Sequence, residues 1–431
     1  MTCDASYAPL APIAPYRETD PVLAEVLATL SRAGHSAHLV GGAVRDALLG
    51  RIPDDFDIST SAAPDTIDGL FANRARIHAI GGAHGTRTIV RAGRAFEITT
   101  WRSPAGPGPG ASLAEDAACR DFTVNALYAD LEGRIADPTG SGLDDLRAGR
   151  LRFAGPPDAQ IRQDPLRLLR LFRFQAQLGL SVGRAGAELA AVASHAGLIA
   201  DLPGERIGAE VMKLLRAPDP APAWAGLHSC GLLEHLPGFS RACASASGYA
   251  VSLARLARIE ADLEITPNAI RRLAALGAGI DPRKLRLSRR QTRAHARIRA
   301  AVDAPVGSAE LGYRLGAAEA ASVIALKAAM TEMSDLQGGD DAGADVFALR
   351  ARLRMAALAE GRRFPLSARD FGTGLSGAAL GRALRAAEDA WIDSVFQLDR
   401  ASLRAIAAME AAAVDAAQDK QFSSGSRDAF A

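Results

Sequence analysis

The sequence predicts an α+β protein in which a small mixed sheet with helices occupies the N-terminal third and everything after it is helical. Three observations predict this. Short segments around 38–40, 56–58, 86–90 and 94–101 read as strands set off by glycine, proline and aspartate turn residues. Beyond them, the chain is rich in Ala, Leu and Arg, with apolar residues at helical spacing. At 431 residues, with 48% hydrophobic and 23% charged side chains, it is too long for one compact core. Four regions are expected: a loose leader over 1–20, a head over 21–152, a helical neck over 153–216, and a helical body and tail over 217–431.

The bulk numbers exclude several function classes. Net charge is +1, so any basic surface must be local. Nearly all positive charge is arginine, since lysine stands only at 213, 284, 327 and 420. The four cysteines are far apart without a C-x-x-C pair, which argues against a zinc module or disulfide framework and fits a reducing compartment. No charged and apolar leader sequence and no membrane-length apolar run is present, so a cytoplasmic location without membrane contact is expected.

Taken in order, Pro21 opens an amphipathic helix through Val22, Leu23, Val26, Leu27 and Leu30 that Gly34 ends. His38–Val40 reads as a strand entering the Gly41-Gly42 turn, 43–49 as a helix, and 56–58 as a second strand. A crossover helix is expected over 64–71, then strands over 86–90 and 94–101 separated by Ala92-Gly93. The Pro/Gly run 104–110 is expected to form neither helix nor strand. Ser112 and Glu115 have capping-box spacing for the next helix. Asp164, Arg167, Arg170 and Arg173 fall three apart and form a drifting stripe on the predicted neck helix, opposite Leu168, Leu169, Leu171 and Phe172. Arg283–Arg299 is the densest basic run, and Gly338–Gly343 reads as a linker.

Chemistry concentrates at Asp55 and Asp57. Residues two apart on a strand share a face, and two carboxylates on one face repel unless a cation lies between them. Mg²⁺ accepts one or two carboxylates together with phosphate oxygens. Gly41-Gly42 supplies the phosphate-holding element, because glycines admit close backbone approach and the following helix offers its N-terminus. Arg45 adds a positive fork. Glu97, between core-facing Phe96 and Ile98, points to the opposite face, where it is either a third carboxylate of the site or an exposed strand residue.

Leu39-Val-Gly-Gly-Ala-Val-Arg-Asp46 followed by Asp55-Phe-Asp-Ile-Ser-Thr60 resembles the catalytic signature of the class II tRNA nucleotidyltransferases, the CCA-adding enzymes and bacterial poly(A) polymerases. His84-Gly-Thr86 resembles a further segment of that family. Cys119-Arg-Asp-Phe-Thr-Val-Asn-Ala126 is similar to its R-R-D-F-T-x-N-A motif, with Cys119 in place of the first Arg. Gln163-Asp-Pro-Leu-Arg-Leu-Leu-Arg170 is similar to its E-D-x-x-R-x-x-R motif, with Gln163 in place of Glu. Pro203–Glu210 resembles the helical motif that braces the neck, and Phe364–Asp370 with Trp391-Ile392 resembles C-terminal segments of proteobacterial members.

The resemblance implies a polymerase-β-like nucleotidyltransferase head and template-independent CCA addition to tRNA from CTP and ATP. Asp55 and Asp57 would hold Mg²⁺, and Glu97 would act on the attacking 3′-hydroxyl. Gly42, Arg45, Arg120, Arg170 and Arg173 would surround the triphosphate, while Asp164 and Arg167 would read the base edge. Asp121 and Asn125 would keep their motif in register. The run 283–299 would be a solvated face or a tRNA-backbone contact, and no obligate protein partner is implied. Three alternatives stay open within reach of these residues. The short 104–110 loop resembles that of CC-adding enzymes, poly(A) polymerase shares the chemistry, and an inactive RNA-binding descendant would keep the helices but lose the carboxylates, which are present. A metal-dependent nucleotide hydrolase lacks the His-rich site it would need, and without a His-Asp dipeptide no appended HD phosphohydrolase site is supported.

Overall fold

Alternation along the N-terminal strands dictates a sheet with one apolar face. In the computed structural model, which describes residues 13–425 apart from 54, 73, 79–84, 104–105, 109, 183–185, 241–247, 278, 332–345 and 372–376, the chain divides into two compact units. The first comprises 1–250 with 284–286, and the second 251–283 with 287–431. The architecture is mixed α+β, as the sequence predicts.

In the first unit, strands β1 (Ala37–Val40), β2 (Asp57–Thr60), β3 (Arg76–His78), β4 (Thr86–Arg91), β5 (Arg94–Thr100), β8 (Tyr128–Ala129) and β9 (Ile135–Ala136) form one sheet in the order β3-β4-β5-β2-β1-β8-β9. The central pair, β2 and β5, is parallel, with Asp57 opposite Glu97 and Ile58 opposite Ile98. The remaining pairs are antiparallel, with Val40 opposite both Asp57 and Tyr128. Because side chains alternate across a strand, Leu39, Ile58, Phe96 and Ile98 are buried on one face and Asp57 and Glu97 project from the other. Helices α2 (Pro21–Arg32) and α4 (Pro64–Phe71) pack against β1 and β4. Helix α3 (Gly42–Leu48) leaves the glycine turn directly after β1.

Several local expectations change. The leader is not loose throughout: Tyr16–Thr19 forms one helical turn, α1, whose Tyr16 is buried and donates its backbone N–H to Leu131. Within the Pro/Gly run, Gly106–Pro107 (β7) pairs with Arg102–Ser103 (β6) as a tight hairpin, since glycine at positive φ lets the chain reverse there. The short strand β3 and the helix α7 (Pro157–Gln163) carry no sequence signal that singled them out. His84 and the 338–343 linker lie outside the described residues.

Behind the head, α5 (Leu113–Ala118) starts with the expected Ser112/Glu115 capping box. A short helix, α6, spans Gly142–Arg147. The neck helix α8 (Arg167–Leu178) begins three residues after Asp164, which is extended and caps α7 instead of belonging to the stripe's helix. After α9 (Ala187–Ser194), α10 (Gly204–Leu215) and α11 (Ala221–Ser229) pack on α8. A β-carbon at Gly226 would lie 2.4 Å from the Phe172 ring, so α11 approaches α8 as closely as a glycine permits.

The second unit is helical. One core gathers Leu256, Val323, Ile324, Leu326 and Leu349 from three of its helices. Another gathers Leu366, Ala387, Trp391 and Leu403, with Phe364 packed against it. The basic run becomes a helix over Arg289–Val302 with Ser288 and Gln291 as capping box, His295 and Ile298 buried and Arg289, Arg290 and Arg293 exposed. Among the described residues, no helix is long and apolar enough to cross a membrane.

The Gly226–Phe172 contact sets a stability prediction. Gly226→Ala overpacks the interface between α8 and α11 and should destabilise the protein by about 1–3 kcal/mol, read from the urea unfolding midpoint.

Candidate active site

The glycine turn determines where the site forms. Gly41 has φ +73°, a left-handed conformation that a β-carbon would strain. A β-carbon there would stand 3.8–3.9 Å from Arg120 Nη1, the Asn125 carbonyl oxygen and Asp57 Oδ2. The turn thus lies where a cation and a backbone oxygen of the 119–126 segment converge with a carboxylate of β2. A cavity of about 980 Å³ opens here, wholly within the first unit. It is lined by Gly41, Gly42, Arg45, Asp55, Asp57, Arg120, Asp164, Arg167, Arg170 and Arg173. Among the described residues proposed for catalysis or nucleotide binding, Glu97 is the one outside the lining, and it stands beside Asp57 on the neighbouring strand.

Asp57 is exposed to the cavity yet titrates above its ordinary value: desolvation by the surrounding cleft raises it, as do the charges of Glu97 and Asp55, against the opposing effect of Arg120 and Arg102. Carboxylates held this close without full compensation are a setting in which a divalent cation fits. Among the described residues, no group of three or more His, Cys, Asp or Glu is arranged as a metal cage. Asp55 and Asp57 both line the cavity, and a pair of carboxylates is the kind of donor set that Mg²⁺ can complete with substrate oxygens.

The arginines of the cavity are less free than a solvated basic face would leave them. Arg45 donates to Asp46 at 2.9 Å through both Nε and Nη2 and to Asn125 Oδ1 at 2.6 Å. Arg170 is paired with Asp121, whose carboxyl falls to about 2: burial would raise it, but Arg170 and the Asn125 amide outweigh that. Arg173 is buried, pairs with Glu210 of α10 and lies over the Phe174 ring. Arg167 is buried as well, donating to the Gln160 carbonyl at 3.2 Å, Gln163 Oε1 at 2.9 Å and the Cys119 carbonyl at 2.7 Å. Gln163, which departs from the family motif, is thus a direct partner of Arg167. Asp164 accepts from Arg206 Nη2 at 3.1 Å on both oxygens, so the 203–210 segment braces the neck through Arg206 as well as Glu210.

Sequence reasoning missed Asp116. It is fully buried and accepts from Ser59 Oγ at 2.9 Å, Tyr128 Oη at 2.7 Å, Arg120 Nη2 at 3.0 Å, and the backbone N and Nε of Arg102 at 3.2 and 3.3 Å. One carboxylate therefore ties β2, β8, α5 and the hairpin strand β6 together behind Asp57. Its pKa falls to about 2 because Arg120 and Arg102 outweigh the burial that would raise it. Arg120 is raised in turn: burial would lower it, but Tyr128 and Asp116 prevail. The available signal was the i,i+4 spacing of Asp116 and Arg120 within one helical turn, masked by the capping role of neighbouring Glu115.

A group depressed in the folded state contributes stability above its unfolded pKa and loses it as pH falls through the folded value. Asp116→Asn should therefore cost about 3–5 kcal/mol at neutral pH by leaving Arg120 and Arg102 without their buried charge. Its deficit against the parent chain should shrink as pH drops from 3.8 toward about 2, as measured by chemical denaturation across that range.

Residues 37–152 match the poly A polymerase head domain, and 188–243 match the probable RNA and SrmB-binding site of polymerase A. Over 224 residues the chain is 39% identical to a CCA-adding enzyme of Geobacillus thermodenitrificans, covering 50% of this chain and 54% of that protein. It is 37% identical over 215 residues to a CC-adding tRNA nucleotidyltransferase of Halalkalibacterium halodurans, with 50% and 54% covered. The chain spans about half the length of the curated relatives it matches. The solved CCA-adding enzyme of Bacillus stearothermophilus in complex with CTP superposes with a TM-score of 0.73 at 28% identity, covering 94% of this chain and 99% of that one. The head over 37–152 and the helical segment over 188–243 are thus similar to those of CCA-adding enzymes and bacterial poly(A) polymerases.

Proposed function

We propose that this chain adds CCA to tRNA 3′ ends without a nucleic-acid template, using CTP and ATP and releasing pyrophosphate. The observation that carries the reading is one cavity lined both by the Asp55/Asp57 pair beside a glycine turn and by Asp164 and Arg167 from the neck. The CTP-bound CCA-adding enzyme that superposes over nearly the whole chain supports it.

Asp55 and Asp57 would hold divalent ions, and their chemistry suits Mg²⁺. Bound there, such ions would supply Lewis-acid stabilisation of charge at the α-phosphate and lower the pKa of the attacking hydroxyl. Gly41-Gly42 admits the phosphates to backbone N–H groups, and Arg120, held by Asp116 and Tyr128, offers Nη1 beside them. Arg45, Arg170 and Arg173, each held by a carboxylate partner, order the cavity wall and aim their guanidinium donors at a triphosphate. Asp164 accepts from the exocyclic amine of C or A, and Arg167 donates to the ring acceptors, so U and G are rejected at the same edge. Glu97 acts on the 3′-hydroxyl side of Asp57. The reaction belongs in the cytoplasm, where tRNA and nucleoside triphosphates are available.

One observation favours a second reading, addition of CC alone. The segment after β5 closes into the short hairpin of Arg102–Ser103 with Gly106–Pro107, which leaves little chain to rearrange between CTP and ATP. Incubation with tRNA transcripts ending before C, CC or CCA, with CTP and ATP separately and together, followed by product sequencing, tests both. The expected product is complete CCA. Stalling at CC would establish the second reading, and long A tracts would replace both with poly(A) synthesis. Asp57→Ala or removal of divalent ions by EDTA should lower addition at least about 10³-fold, with Mg²⁺ restoring only the EDTA-treated parent.

A further inference from the structure

Asp55 lies outside the sheet, since β2 begins at Asp57, and two like charges repel until a cation joins them. Their spacing before that point depends on the backbone that carries them, and Phe56 is the residue between them. Its carbonyl accepts from the Glu97 N–H at 3.3 Å. Its ring lies on the opposite face of the sheet, 6.3 Å from the Phe96 ring. There the Arg94 guanidinium stands 4.7 Å from the Phe56 centroid and 5.1 Å from that of Phe96. Arg94 and Phe96 are two apart on β5 and share that face. Both terminal nitrogens of Arg94 donate to Asp20, Nη1 to Oδ1 at 2.7 Å and Nη2 to Oδ2 at 2.8 Å. Asp20 in turn caps α2 by accepting from the Leu23 N–H at 3.1 Å.

A guanidinium can pair through its edge with a carboxylate while its face lies on an aromatic ring, which an ammonium cannot do in the same geometry. The contacts therefore run from the N-cap of α2 through Asp20 and Arg94 to the one side chain that stands between the two site carboxylates. Arg91 supplies a contrast. It lies opposite Arg94 in the β4–β5 pair and reaches Glu25 of α2 at 2.6 Å, joining the same elements by a route that does not pass through Phe56. Resting on the reading that Asp55 and Asp57 hold divalent ions, we propose that Arg94, fixed by Asp20 and laid over Phe56, is a positioning residue that presets the spacing of the two carboxylates. Arg94 is outside the cavity lining, so it acts through Phe56 and not on a ligand.

The test uses the full chain and Mn²⁺ alone as the probe, with free Mn²⁺ read from its electron paramagnetic resonance signal and neither nucleotide nor RNA present. Binding by the parent should be lost in Asp57→Ala. Arg94→Ala, Arg94→Lys and Phe56→Leu should each raise the Mn²⁺ Kd about 3- to 10-fold, and Phe56→Leu should add little in the Arg94→Ala background. Arg91→Ala should leave the Kd within about twofold. In tRNA extension by Arg94→Lys, the Mg²⁺ concentration for half-maximal rate should rise by the same factor, while kcat and the KM for CTP at saturating Mg²⁺ return to within about twofold of the parent. Arg94→Lys keeps the charge and Phe56→Leu the apolar bulk, so the test survives if Arg94→Ala fails to fold. A lowered urea midpoint in Arg94→Lys with an unchanged Mn²⁺ Kd would overturn the proposal, because a merely structural role predicts that result. An equal rise in Arg91→Ala would overturn it too, placing the effect in the docking of α2. Lack of Asp57-dependent Mn²⁺ binding in the parent would sink the metal reading and the proposal with it. A parent that extends no tRNA, yet whose Mn²⁺ binding depends on Asp57 and Arg94, would sink the catalytic reading and leave the proposal standing.

Discussion

The site depends on the buried carboxylate of Asp116. Burying a charge is costly unless partners surround it, and here they come from β2, β6, β8 and the end of its own helix. Each partner is thereby placed relative to the others. Ser59 lies two residues along the strand from Asp57, and Arg120 reaches back to the glycine turn, so the Asp116 cluster sets the spacing between the strand carboxylates and the cation beside them. Such a cluster contributes little net stability compared with an apolar core of the same volume, but removing one member leaves charges stranded. Its consequence is geometric definition of the floor of the site.

The same logic organises the neck. Arg170 and Arg173 do not present a free basic face, since each has a buried acid facing it, from the head in one case and from α10 in the other. Arg167 is held by two carbonyls and the Gln163 amide oxygen, which leaves its positive charge without an acidic partner at hydrogen-bond distance. Glutamate at position 163 would neutralise part of that charge, whereas glutamine orients the guanidinium and leaves its field directed at the cavity. Asp164, just before α8, is held from the opposite side by Arg206. The two proposed base-reading groups are therefore fixed by different parts of the neck, as rigid positioning of a hydrogen-bonding edge requires.

Between these fixed layers lies the cavity, with its carboxylates on one wall and its neck residues on another. Arg45, Arg120, Arg170 and Arg173 are compensated there by carboxylates, whereas Arg167 is held by neutral acceptors alone.

Much of this was legible in local sequence. Strand alternation at Phe96, Glu97 and Ile98 placed Glu97 on the face of Asp57, and the three-residue spacing of Asp164, Arg167, Arg170 and Arg173 marked the neck residues that line the cavity, although Asp164 precedes the helix that carries the others. Composition misled at Gly106–Pro107, which pairs as a strand because positive φ and a single reversal suffice for a two-residue ladder. Asp116 was invisible as a hub because its partners stand 4 to 57 positions away, and no local period encodes their meeting. By itself the sequence determined which residue types are present at strand, turn and helix spacing, and hence which chemistry they suggest. Only the tertiary structure decided which arginines are spent on buried acids and which remain for a ligand, because charge compensation is settled by proximity in space and not by order along the chain.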